Sequence, residues 1–111
     1  MPAFERGDVV RVPFPYTDRA TRQHRPALVV SNGGLGDQSR LLWVVMITSA
    51  ENRPWAEDVA IGPAYAEAGL PAPSTIRPSK IATIDAAVAD RLGRIDDDRL
   101  ARTMQAVRAR L

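Results

Sequence analysis

Leu41-Leu42-Trp43-Val44-Val45-Met46-Ile47-Thr48 is the stretch on which the fold turns. Its β-branched and aromatic residues favour an extended chain. The run is far shorter than the roughly 20 residues a membrane helix needs. It is also too continuous for a strand wetted on one face, so it is expected to lie centrally in a sheet. Upstream, Pro26 to Ser31 reads as a buried strand, closed by a turn with Asn32, Gly33, Gly34 and Gly36. Asp8 to Phe14 reads as a first strand, and Pro13 and Pro15 mark an edge or a bulge. Between these two, Tyr16 to His24 is polar and lacks apolar periodicity, as a functional loop would.

Downstream, Glu51 to Trp55 reads as an exposed loop and Asp58 to Ile61 as a short strand. Gly62 to Pro73 is rich in Ala, Gly and Pro. Ser74 to Arg77 and Ile81 to Ile84 are expected as two short segments around Pro78. Asp85 to Leu92 is expected to be a short helix stopped by Gly93. Asp96 is a good N-cap, and Leu100, Met104, Val107 and Leu111 recur at helical spacing, which predicts an amphipathic C-terminal helix. Short strands followed by helices give a mainly β, α+β architecture: a small antiparallel barrel or half-barrel with helices packed at one end.

The 111 residues suit one domain spanning 1–111, and 45% hydrophobic with 25% charged residues is an ordinary globular balance. With no cysteine there is no disulfide and no thiolate metal site, as expected of a cytoplasmic protein. His24 is the only histidine, so one chain cannot build a multi-histidine metal centre; no metal or other cofactor is expected. No apolar run is long enough to cross a membrane, and the N-terminus lacks a signal-peptide pattern. Net charge is only +2, yet 14 of the 15 basic residues are arginines, Lys80 being the exception. Arginine suits bidentate phosphate recognition. The same bias follows from a GC-rich genome, so it argues weakly for nucleic acid.

The residues that could carry chemistry are arginines, hydroxyls and one histidine. Arg25 stands where a polar loop enters a buried strand, and the following proline fixes it. It suits either a guanidinium held at the barrel rim or a surface ion pair. Thr48 and Ser49 end the central strand and Ser74 begins another; their hydroxyls suit phosphate or ribose contacts, or simple strand-end capping. His24 suits acid–base chemistry or base stacking.

Six ordered segments resemble the MazF/PemK-type toxins: Gly7-Asp8-Val9-Val10; Val12-Pro13-Phe14-Pro15-Tyr16-Thr17-Asp18; Arg25 to Ser31; Ile47-Thr48-Ser49; Ser74-Thr75-Ile76; and Lys80 to Asp85, with the closing helix after them. No single segment is decisive; the ordered set, running from about residue 5 to the end, is fairly specific. The resemblance implies an SH3-like barrel, a homodimer, metal-independent cleavage of single-stranded RNA, and control by an acidic antitoxin. It implies that Arg25 and Thr48 are catalytic and that His24 matches a histidine functional in some relatives. The glutamate that some relatives carry five residues before the arginine is Ala20 here, so no carboxylate role carries over. Phe14 and Trp55 suit unstacked bases, and Arg22, Arg77, Ser49 and Ser74 complete the expected RNA-binding set. Arg19 and Arg53 extend the basic surface that an acidic inhibitor would cover. A gyrase-poisoning toxin of the same fold and a non-catalytic SH3-like module are the alternatives.

Overall fold

The computed structural model describes residues 3–14 and 23–111. Its chain forms β1 (Asp8–Phe14), β2 (Gln23–Val29), β3 (Leu41–Ser49), β4 (Val59–Ala60), β5 (Ser74–Asp85), β6 (Asp90–Arg94) and α1 (Asp97–Arg108). The strands make one sheet in the order β4-β5-β3-β2-β1-β6, and every neighbouring pair is antiparallel. This is the expected mainly β half-barrel with a C-terminal helix. β3 lies inside the sheet, between β5 and β2, as its apolar run requires.

Alternation along the strands creates two cores. Val9, Leu28, Val45, Ile47 and Ile76 point to one face, where Met104 and Val107 of α1 cover them together with Ile61, Ala68 and Leu70. Val10, Val12, Ala27, Val29, Val44 and Met46 point to the other, with Phe4, Ile84 and Ala89. The second face carries the row of residues described below.

The Asp96 carboxylate accepts a hydrogen bond from the Arg99 backbone N–H at 3.0 Å, so the expected N-cap forms. Of the predicted stripe, Met104 and Val107 are buried and Leu100 packs against them, but Leu111 is 91% exposed. Beyond Arg11, β1 pairs only with β2 among the described residues, so Pro13 falls on an edge.

Two expectations are corrected. Ser74 to Ile84 is one strand, not two. Val45 pairs with Ile81 and Met46 with Arg77, which leaves Pro78, Ser79 and Lys80 outside the ladder as a bulge. Proline is tolerated there because no ladder donor is needed. Asp85 to Leu92 is not a helix: Ala86–Val88 form one 3-10 turn and Asp90–Arg94 pair with β1. Gly93 is a glycine for a different reason than helix termination. A Cβ there would lie 2.4 Å from the Ala68 carbonyl oxygen, and one on Gly69 would lie 2.1 Å from that of Leu92. The two backbones can pass only where neither carries a side chain.

Asp8 anchors this edge. Its carboxylate is fully buried, accepts from the Glu5 N–H at 2.8 Å and Arg94 Nη1 at 3.1 Å, and forms an ion pair with Arg91 Nη2 at 3.1 Å. A buried carboxylate needs such company, since an unpaired charge is costly to remove from water.

Candidate active site

Register puts Arg25 and Thr48 on the same face of neighbouring strands. β2 and β3 pair Val29 with Val44, Leu28 with Val45 and Ala27 with Met46. The same antiparallel register, continued two residues, sets Arg25 opposite Thr48. Arg25 shares a face with Ala27, and Thr48 shares it with Met46. On the flanking strands Thr75 pairs with Thr48 and Val12 pairs with Arg25. Thr75 with Thr48 and Val12 with Arg25 are thus two cross-strand pairs on one face of the sheet, in line as a row where the β2–β3 register is extended past its last pair, Ala27 with Met46. Arg25 is half-buried there.

Thr48 is only 5% exposed. Its Oγ1 accepts from Asn52 Nδ2 at 2.6 Å. With an acceptor position so filled, the hydroxyl proton is the part left to point elsewhere. Neither Asn52 nor Thr75 was singled out from the sequence. The only local signal for Asn52 is an amide four residues past a strand-end threonine.

Other expected residues stand apart from this row. His24 pairs with Pro13 and is exposed; alternation turns it to the face opposite Arg25. Ser49 and Ser74 pair with each other on that opposite side. Ser49 Oγ accepts from the Glu51 N–H at 3.2 Å, and Ser74 Oγ donates to the Ala72 carbonyl at 2.9 Å. Arg77 lies on the same face as Thr48, opposite Met46, with its side chain only 9% exposed beside Asp58. Trp55, in the loop from Ala50 to Asp58, is 41% exposed. Arg53 is exposed in the same loop. Arg22, Arg19 and Ala20 lie outside the described residues, and Phe14 is placed only as the last residue of β1.

A separate surface lies on the helix-covered face, past the end of α1. Trp43 and Ile81 are each 48% exposed and border an apolar groove of about 560 Å³ with Leu35, Val30, Met104 and Val107. No helix of the described residues is long and apolar enough to cross a membrane.

Residues 5–111 match the family model described as PemK-like, MazF-like toxin of type II toxin-antitoxin system. No curated protein sequence is significantly similar to the chain. A solved MazE-MazF structure from Deinococcus radiodurans superposes with a TM-score of 0.74 at 19% identity, covering 98% of this chain and 95% of that one. An endoribonuclease in complex with its cognate antitoxin, from a mycobacterial species, gives 0.70 at 22% identity, over 95% and 91% of the two chains. A mycobacterial endoribonuclease gives 0.71 at 23%, over 98% and 91%.

Proposed function

The chain belongs to the PemK-like, MazF-like toxins of type II toxin–antitoxin systems, and we propose that it acts as a metal-independent endoribonuclease on single-stranded RNA. The observation that supports this reading is that Arg25 and Thr48 lie on one face of neighbouring strands, level with each other when the β2–β3 register is extended two residues. RNA supplies its own nucleophile. The 2′-oxygen loses its proton and attacks the adjacent phosphorus, the bond to the 5′-oxygen breaks, and that oxygen takes up a proton. The products are a 2′,3′-cyclic phosphate and a 5′-hydroxyl. Arg25 stabilises the charge that builds on the phosphorane oxygens, and Thr48, steadied by Asn52, donates its hydroxyl proton to one of them. Because Thr48 is nearly buried and held by Asn52, the phosphate enters beside the Asn52 amide.

The protein works as a cytoplasmic homodimer in this reading. The bare patch at Trp43 and Ile81 suits a second copy, since a large exposed apolar patch marks a protein contact and a two-fold axis lets one patch cover another. An acidic antitoxin segment competes with RNA for the site. A titration with a non-cleavable RNA tests this: joint saturation by peptide and RNA excludes direct competition. The primary experiment incubates the protein with RNA in excess EDTA. Full activity is expected, with cyclic-phosphate ends, and a single 2′-deoxy residue at the cut site should block cleavage. Activity lost in EDTA, or cleavage of the deoxy substrate, overturns the mechanism.

A further inference from the structure

The loop between β3 and β4 is braced at both ends. At its start, Asn52 donates to Thr48 and its own N–H to the Ser49 carbonyl at 3.1 Å. At its end, Asp58 accepts from the Trp55 N–H at 2.8 Å and from Arg77 Nε and Nη2 at 3.2 and 3.0 Å. Arg77 Nη2 also donates to the Arg53 carbonyl at 2.8 Å. The Arg77 guanidinium carbon lies 4.1 Å from the centre of the Trp55 ring. Asp58 and Arg77 expose only 5% and 9% of their side chains. The arginine thus meets a carboxylate of opposite charge, ties a loop carbonyl and carries an indole on its flat face. A cation committed in this way offers little field to a polyanion.

We propose that Trp55, held by the Arg77–Asp58 pair, is a stacking subsite for a nucleobase beside the Arg25–Thr48 row, and that Arg77 is a positioning residue and not a phosphate contact. This rests on the ribonuclease reading. Arg77 faces Met46, two residues from Thr48 along β3, or about 7 Å by strand rise. The ring therefore takes the base of a nucleotide next to the one being cut. Every base has a π-face, so this subsite selects unpaired RNA and leaves sequence choice to other contacts. Lys80, with Nζ 5.8 Å from the same ring centre, is the cation placed to meet the phosphate of that nucleotide.

The test exploits opposite signs. Binding is measured by titrating a mixed-sequence single-stranded RNA, 2′-O-methylated throughout, over a range of salt. Asp58→Asn removes a negative charge and loosens the arginine. The clamp requires weaker binding, by about 5- to 150-fold as for loss of one stacked base, with an unchanged salt slope. Tighter binding with a steeper slope would show a phosphate-binding Arg77 and overturn the proposal. Arg77→Lys keeps the charge and loses the planar fork, so it should be as weak as Trp55→Leu; wild-type affinity overturns the proposal. Trp55→Leu leaves the ion pair in place and serves if the Asp58 variant does not fold; unchanged affinity there also overturns it. RNA should quench the emission of Trp55, isolated from that of Trp43 by difference against Trp55→Phe, and absence of that quenching counts against stacking. A wild-type protein that neither binds nor cuts RNA defeats the ribonuclease reading itself, whereas a failed clamp leaves wild-type cleavage intact.

Discussion

Leu41 and Trp43, at the start of β3, leave 40% and 48% of their surface in water, whereas Thr48, near the end of the same strand, leaves 5%. The usual rule places apolar groups inside and polar groups outside. One strand breaks it in both directions. Between the two ends, Val44, Val45 and Ile47 are fully buried and hold the strand rigid. Apolar side chains left bare at one end suit the second copy proposed above. In the proposed ribonuclease, the hydroxyl buried and hydrogen-bonded at the other end is a fixed point for chemistry, since a group already ordered needs no reorganisation when charge develops.

The largest expected effect is at the polar end. Arg25→Ala should cut the cleavage rate by about 10² to 10³-fold, the usual cost of one preorganised donor, while the melting temperature stays close to wild type. A folded variant that cuts at wild-type rate would remove the chemistry from this end. Next comes the apolar end. Trp43→Glu should weaken self-association by on the order of 10²-fold, since full burial of a large apolar side chain is worth about 1.5–3 kcal/mol. Sedimentation reads this directly, and an unchanged dimer constant would show that the bare patch has another occupant. Thr48→Ala should lower the rate about fivefold, less than Arg25→Ala, because a neutral hydrogen bond is worth about 1 kcal/mol. A loss larger than that of Arg25→Ala would reverse their roles.

The smallest effect lies away from both ends. Burial of Asp96 raises its pKa, but the Arg99 N–H and the Arg99 guanidinium outweigh this and hold the carboxyl below its ordinary value of 3.8. A lowered folded-state pKa adds stability above pH 3.8, and that stability is lost as pH falls through the folded value. Asp96→Ala should cost about 1 kcal/mol at neutral pH and should flatten the acid limb of the stability curve. Denaturant titrations across pH measure it, and an equal loss at every pH would rule out the charge.

The legible parts of the fold were those with local causes. β3 followed from a continuous apolar run, β1 from its clustered valines ahead of Pro13 and Pro15, and α1 from the Asp96 cap and its stripe. What misled was glycine and proline read as punctuation. Gly93 looks like a helix stop because a backbone crossing and a helix end both demand the absence of a side chain. Pro78 looks like a strand break because a bulge lies outside the one-dimensional pattern. The site divides in the same way. Arg25 and Thr48 stood out by position at strand ends and by family resemblance. Asn52, Thr75 and Asp58 did not, because register, bulge and loop closure assign their neighbours, and none of these is visible in spacing along the chain.

The buried carboxylate of Asp8 has a consequence in time. Its partner Arg94 lies 86 residues further along the chain. Closing so wide a loop costs more entropy than the nearer pairing of β1 with β2, so the nearer ladder is expected to form first. On the ribosome, Arg94 must leave the exit tunnel before this edge of the sheet can be sealed. Until then Asp8 lacks its Arg94 partner, and the β1–β6 edge is incomplete. Assembly thus ends where the sequence almost begins. Pulse-labelled hydrogen exchange during refolding should find the β1–β6 amides protected last; protection of that ladder before the β1–β2 ladder would invert the order.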